Sequence, residues 1–133
     1  MARASFLSGM LRDEARPHAL LNTRTGGVVA DRVELAVDSE SRRRGLLGRD
    51  RFEPGSALVI APCSAVHTFF MRFDIDVVFA SRDGRVLKTY AGIPHRRVAF
   101  GFGAFAAIEL PAGTLARVEA RRGDLLELAP RQT

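Results

Sequence analysis

Between Phe69 and Phe79 the apolar residues fall on odd numbers: Phe69, Met71, Phe73, Ile75, Val77 and Phe79. Thr68, Arg72, Asp74 and Asp76 take even positions. A period of two predicts a strand with one buried face. A strand usually runs about five or six residues, so a bend is predicted near Phe73 and Asp74, with pieces over 67–72 and 75–81. The stretch 62–79 also holds the only cysteine, one of three histidines and four of nine phenylalanines, so candidate chemistry concentrates here.

The same patterning extends along the chain. Residues 1–17 are weakly patterned and end at Pro17, which predicts a flexible tail or a short amphipathic turn, with one domain over 18–133. Residues 19–24 and 28–37, joined by Thr25-Gly26-Gly27, read as an antiparallel hairpin. Asp38 or Ser39 opens a helix by accepting free first-turn amides, and Gly48 is a natural stop. Gly45 then falls inside the helix, which predicts close approach of another element, the strand from residue 66. Residues 57–60 form a short, fully apolar strand.

Asp83-Gly84 marks a hairpin turn before a return strand over 86–91. Residues 92–105 read as a loop packed by Phe100, Phe102 and Phe105. A strand over 107–110 leads through Pro111-Ala112-Gly113 into a helix over 115–120 capped by Thr114. Gly123 and Asp124 turn the chain into a last strand over 125–128. These elements predict a mainly β protein of β-rich α+β type, a small, mostly antiparallel barrel of seven or eight short strands with two short helices.

Composition narrows the function classes. Across 133 residues, 47% are apolar and 26% charged, the balance of an ordinary soluble domain. A lone cysteine makes no internal disulfide, so no oxidising compartment is implied. Of 20 basic residues 19 are arginine, Lys88 being the exception, and the net charge is +5. These cations are interspersed with acids rather than gathered on one face, which argues against nucleic acid as a partner. No apolar run reaches the ~18 residues of a membrane helix, and the amino terminus lacks the apolar core of a secretory signal. A cytoplasmic location and no membrane partner are therefore expected.

Several side chains carry candidate chemistry. Cys63 and His67, four apart, are a thiol and an imidazole that together can make a nucleophile, but no third, orienting group stands at a readable spacing. Metal-ligand spacing is absent, so no metal and no cofactor are expected. Asp74 and Asp76 would share a face of a regular strand, where they could serve His67 in a hydrolase-like site or accept backbone hydrogen bonds. Glu109, between Ile108 and Leu110, needs a cation or several donors if buried, and an ion pair with a nearby arginine is expected. Thr68, Phe70 and Arg72 on one strand face suggest a cleft for an anionic or planar ligand.

Three motifs, in order, carry a family resemblance over roughly residues 28–129. The first is Arg44-Gly45-Leu46-Leu47-Gly48-Arg49. The second runs from Thr68 to Phe79 and continues into Asp83-Gly84-Arg85-Val86. The third is Ile108-Glu109-Leu110-Pro111-Ala112-Gly113-Thr114, with Gly123-Asp124 after it. The chain resembles the domain-of-unknown-function family 192 of bacteria and archaea. Leu47 stands where methionine is common in that family, and Asp74 where proline is expected. The resemblance implies a small β-rich barrel and carries no settled activity.

Gly45, Gly48, Asp76, Gly84, Glu109, Gly113 and Asp124 are expected to maintain the fold. Arg44, His67, Thr68, Phe70 and Arg72 are expected to bind a small molecule or a peptide segment. Their cleft would lie between the 44–49 helix, the 63–72 segment and the 100–105 loop. A partner-binding module without a small-molecule site is the remaining alternative.

Overall fold

The computed structural model of the protein describes residues 3–131. The ends of the expected tail (1–2) and of the expected domain (132–133) lie outside the described residues. The expected tail carries a short helix, α1 (Ser8–Arg12). Leu7 and Met10 are buried, and the Phe6 amide donates to the Arg82 carbonyl at 2.8 Å, so this segment packs on the domain.

The predicted first hairpin forms from β1 (His18–Asn22) and β2 (Gly27–Ala30), but the strand expected over 28–37 is broken. The amides of Asp31 and Arg32 both donate to the Gly55 carbonyl, and the chain changes sheet there. Beyond the break, β3 (Arg32–Ala36) pairs in parallel with β4 (Ser56–Ile60). Between them lies α2 (Ser39–Arg44), whose first turn is capped as predicted: the Ser41 amide donates to Asp38 Oδ1 at 2.8 Å.

Next come β5 (Ala65–His67), β6 (Ile75–Ala80), β7 (Val86–Ile93), β8 (Val98–Phe100) and β9 (Ala106–Pro111). The chain closes with α3 (Thr114–Val118) and β10 (Leu126–Pro130). The protein is mainly β, but the expected barrel does not close. The strands form three sheets, ordered β10-β1-β2, β3-β4-β9-β6-β7 and β5-β8. Ten strands and three helices are present among the described residues, more than predicted. The additional pieces are too short to leave a period in the sequence.

Alternation along the five-stranded sheet divides the core in two. Ala57 and Val59 of β4, Val78 and Ala80 of β6, and Ile108 and Leu110 of β9 pack with Leu20, Val29, Leu115 and Leu126 on one face. Leu58, Ile60, Val77, Phe79 and Ala107 pack with Leu46, Val66, Met71 and Ala99 on the other. Layers on both faces bury every residue of β6, so the strand is not the one-faced element that the odd-numbered apolar pattern suggests.

The helix starts and turns depend on particular side chains. Asp76 points to the α3 face, where its Oδ2 accepts the Leu115 amide at 2.9 Å and its Oδ1 the Gly92 amide at 2.8 Å. α3 is therefore capped from across the sheet, with Gly113 as the N-cap residue, rather than by Thr114, whose hydroxyl donates to the Pro111 carbonyl. Asp124 accepts from Asn22 Nδ2 at 2.8 Å, Arg24 Nε at 2.6 Å and the Arg121 amide at 2.9 Å. These donors, led by the Arg24 guanidinium, lower its pKa to about 2. At Gly84, φ is +93° and a Cβ would overlap the Leu126 carbonyl, so the 81–85 turn needs glycine.

Candidate ligand recess

Alternation on β9 places Glu109 on the same face as Ala107, opposite the face that carries Asp76. Its register partners are Leu58 on β4 and Val77 on β6. The carboxyl group therefore rises from the middle of the sheet into the layer made by α2 and the β5–β8 ribbon. It meets a recess of about 80 Å³ lined by Arg42, Arg43, Arg44, Gly45, Cys63 and His67. Ile60, Val66, Leu46, Leu47 and Met71 supply apolar wall.

α2 ends one turn earlier than predicted. Gly45, with φ +49° and ψ −125°, is its C-cap rather than an interior residue, and its amide donates to the Ser41 carbonyl. The expected close approach is real, but the neighbour is Glu109 of β9 and not the strand near residue 66. After the turn at Gly48, Arg49 forks onto Glu34 of β3 at 2.9 and 3.1 Å. The expected ion pair between Glu109 and an arginine is absent among the described residues, because Arg49 is taken by Glu34.

Glu109 is 3% exposed, and burial pushes its pKa up to about 7 against an opposing pull from the Arg49 charge. At neutral pH it is thus about half protonated and can donate as well as accept. Arg42 lines the same recess and makes weak contacts: Nη1 to the Pro62 carbonyl at 3.4 Å and Nη2 to Ser39 Oγ at 3.5 Å. Among the described residues, Arg42 Nε is the one buried side-chain nitrogen or oxygen without a hydrogen-bond partner. Such a donor is costly unless something accepts from it.

The residues singled out from the sequence separate in space. Arg44 and His67 line the recess and are exposed at its mouth. Cys63 lines it too, but its thiol donates to the Ala65 carbonyl, and burial raises its pKa, so no thiolate is favoured. The predicted strand over 67–72 is instead a turn after His67, and its side chains diverge. Thr68 is buried as a clip: its hydroxyl donates to the Pro94 carbonyl at 2.6 Å and accepts the Arg97 amide at 3.0 Å. Phe70 is 86% exposed and outside the recess, and Arg72 is exposed and pairs with Asp50.

The two aspartates do not form a dyad. Asp74 is exposed and precedes β6, whereas Asp76 is buried with both oxygens accepting amides. Neither is a hydrogen-bond partner of His67 among the described residues. No three His, Cys, Asp or Glu side chains among the described residues converge as metal ligands would. From the sequence alone Glu109 is expected to be structural, and the run Arg42-Arg43-Arg44 to be a solvated helix face or to send one arginine to an anionic ligand or a buried carboxylate. The signal that was available was a lone acid in the apolar run 106–111.

No helix among the described residues is long and apolar enough to cross a membrane. No curated protein matches the sequence. Two solved structures share the fold. One is a protein of Sinorhizobium meliloti 1021 described provisionally as a transcription regulator. It is 23% identical, with a TM-score of 0.73 over 84% of this chain and 92% of that one. The other, a protein of unknown function from Novosphingobium aromaticivorans DSM 12444, is 24% identical, with a TM-score of 0.69 over 84% and 83%. The family model DUF192, described as "Uncharacterized ACR", matches residues 20–128, most of the chain. On that match the protein belongs to the uncharacterised DUF192 family.

Proposed function

We propose that the recess between α2 and β5 binds a small anionic ligand, or the anionic end of a peptide segment. The observation that carries this reading is the unpartnered Nε of Arg42, a residue that lines the same recess as the buried carboxyl of Glu109. An anionic oxygen would satisfy that donor, and protonated Glu109 would donate to a second oxygen of the same group. Arg43 and Arg44 at the rim would draw the ligand in. Pockets for drug-sized molecules hold about 300–1,000 Å³. A recess of about 80 Å³ suits a carboxylate or phosphate group, with any larger body remaining outside near His67.

The test is mass spectrometry of small molecules retained by the natively purified protein, repeated with Arg42→Ala and Glu109→Gln. The reading expects a retained anion that is lost from Arg42→Ala and kept at least as well in Glu109→Gln, whose neutral amide donates at every pH. Retention equal in all three proteins, or none in any, removes it.

A further inference from the structure

We propose that the outer face of the β5–β8 ribbon docks on an anionic lipid bilayer, with Phe70 and Phe102 inserted among the acyl chains. Neither phenylalanine lines the recess, although Ala65 and His67 at the edge of the docking face do. From the sequence no membrane partner is expected, because no run spans a bilayer. Lying on the surface of one needs only exposed apolar side chains with cations around them.

The apolar strip follows from register. β5 and β8 pair His67 with Val98 and Ala65 with Phe100, so these four side chains share one face, while Val66 and Ala99 are buried beneath. Val98 is 50% exposed and Phe100 62%. The Phe69 ring lies against His67 with centroids 5.9 Å apart and continues the strip. Phe70 at one end and Phe102 at the other are 86% and 101% exposed. Phe70 holds a φ of +65°, which disfavours an aromatic residue, and its ring finds almost no packing within the chain in return. Exposed apolar side chains gathered on one short ribbon and the turns at its ends mark an interaction surface.

The backbone behind the strip is firmly held. Tyr90 donates its hydroxyl proton to the Phe100 carbonyl at 2.6 Å, and the Gly101 amide donates to the Ser64 carbonyl at 2.8 Å. Gly101 also rests directly on the buried Phe79 ring.

Charge selects the partner. No acidic residue occurs in 54–73 or in 84–108, the segments that build the ribbon and its flanks. Arg72, Lys88, His95, Arg96 and Arg97 all lie there. Arg72 is neutralised by Asp50, whereas Arg96 and Arg97 form no ion pair among the described residues. Lys88 and Arg122 share a shallow depression with Phe100 and Phe102. A negative bilayer surface complements this set of cations. A second copy pairing through the same patch would instead set Arg96 and Arg97 against themselves. Single-stranded nucleic acid stacks on rings supported by a sheet, whereas the fully exposed Phe102 projects from a turn.

The experiment is sedimentation of the full chain with vesicles of phosphatidylcholine, alone or with about one third phosphatidylglycerol, in ~0.1 M salt. Phe70→Ser/Phe102→Ser and Arg96→Glu/Arg97→Glu are run beside it, with circular dichroism confirming that both fold. The wild type should sediment with the anionic vesicles and not with the neutral ones. The phenylalanine pair should weaken binding at least about tenfold. The arginine pair should weaken it at least about 25-fold, about fivefold for each cation removed. Absence of binding to anionic vesicles, equal binding to neutral ones, or binding that survives Phe70→Ser/Phe102→Ser would overturn the proposal. So would a single-stranded oligonucleotide complex, or a dimer in analytical ultracentrifugation, that forms in place of vesicle binding and is lost in the phenylalanine variant.

Discussion

A Cβ added at Gly45 would lie 3.7 Å from Oε1 of Glu109, so the end of α2 faces the Glu109 side chain of β9 with room for little more than a methyl group between them. That separation is an ordinary van der Waals distance, so alanine at Gly45 meets no clash. Its difficulty is the backbone, because φ +49° with ψ −125° is closed to side-chain-bearing residues. Gly45→Ala should therefore cost about 1–3 kcal/mol, with the urea midpoint lowered and the slope unchanged. A midpoint equal to the wild type would mean that the helix end does not need glycine.

Glu109 makes stability depend on pH in an unusual direction. Its folded pKa of about 7 lies above the ordinary value of 4.5, so the native state holds a proton that the unfolded chain releases. The favourable contribution is complete below about pH 4.5 and is lost as pH rises to about 7. The full shift corresponds to about 3 kcal/mol. Arg42, Arg43 and Arg44 from α2, Arg49 after it, and Cys63 and His67 from the facing segment are the other titratable groups around this carboxyl. Glu109→Gln removes the titration, so it should gain stability relative to the wild type between pH 5 and pH 8. Thermal unfolding midpoints of both proteins across that range check it; parallel curves would refute it.

Asp76 should be among the least replaceable polar residues. It is fully buried, and its two oxygens accept the Gly92 and Leu115 amides, joining β7 and α3 to the central strand. Asp76→Asn keeps the shape but turns an amide group toward one of these donors. Leaving a buried donor unsatisfied costs about 1–3 kcal/mol, and the lost charge-assisted bond adds to that. Urea unfolding should register a loss of at least about 2 kcal/mol. Asp74→Asn, exposed and outside the strand, should stay within about 0.5 kcal/mol of the wild type.

The contrast between these aspartates marks how far the sequence could be read. Alternation located β6, and short apolar runs located β4 and β9, because each runs five or six residues through a buried sheet. Turn chemistry located Asp38 as a cap and Asp83-Gly84 as a hairpin because these are local events. What escaped was non-local or too brief. β5 and β8 are three residues each and exist only by pairing with one another. The odd-number rhythm from Phe69 ran through a turn that Thr68 fastens to the Pro94 and Arg97 backbone, a contact that no spacing announces. Glu109 was visible as an oddity among apolar neighbours. Its loss of Arg49 to Glu34, and the idle Arg42 donor in the same recess, depend on three-dimensional rivalry between side chains.

Gly101 is such a case, since from the sequence it is only a breaker in an aromatic loop. In the fold it lies on Phe79, where a Cβ would overlap Cγ and Cδ1 of the ring. Phe79 is fully buried and stands edge-on to Tyr90, with centroids 5.9 Å apart, so the ring has nowhere to move. Gly101→Ala must therefore lift the 100–104 turn and break the bond from its amide to the Ser64 carbonyl. Overpacking of this kind costs about 1–3 kcal/mol. The damage should be local, because β6 and β9 remain paired with each other through six register positions. Amide hydrogen exchange should quicken at residues 101 and 104 and along β8, while the amides of β6 and β9 keep their protection. Uniform loss of protection across both sheets would instead make the ribbon part of a single cooperative unit with the core. Unchanged exchange at residue 101 would mean that the turn does not press on the Phe79 ring.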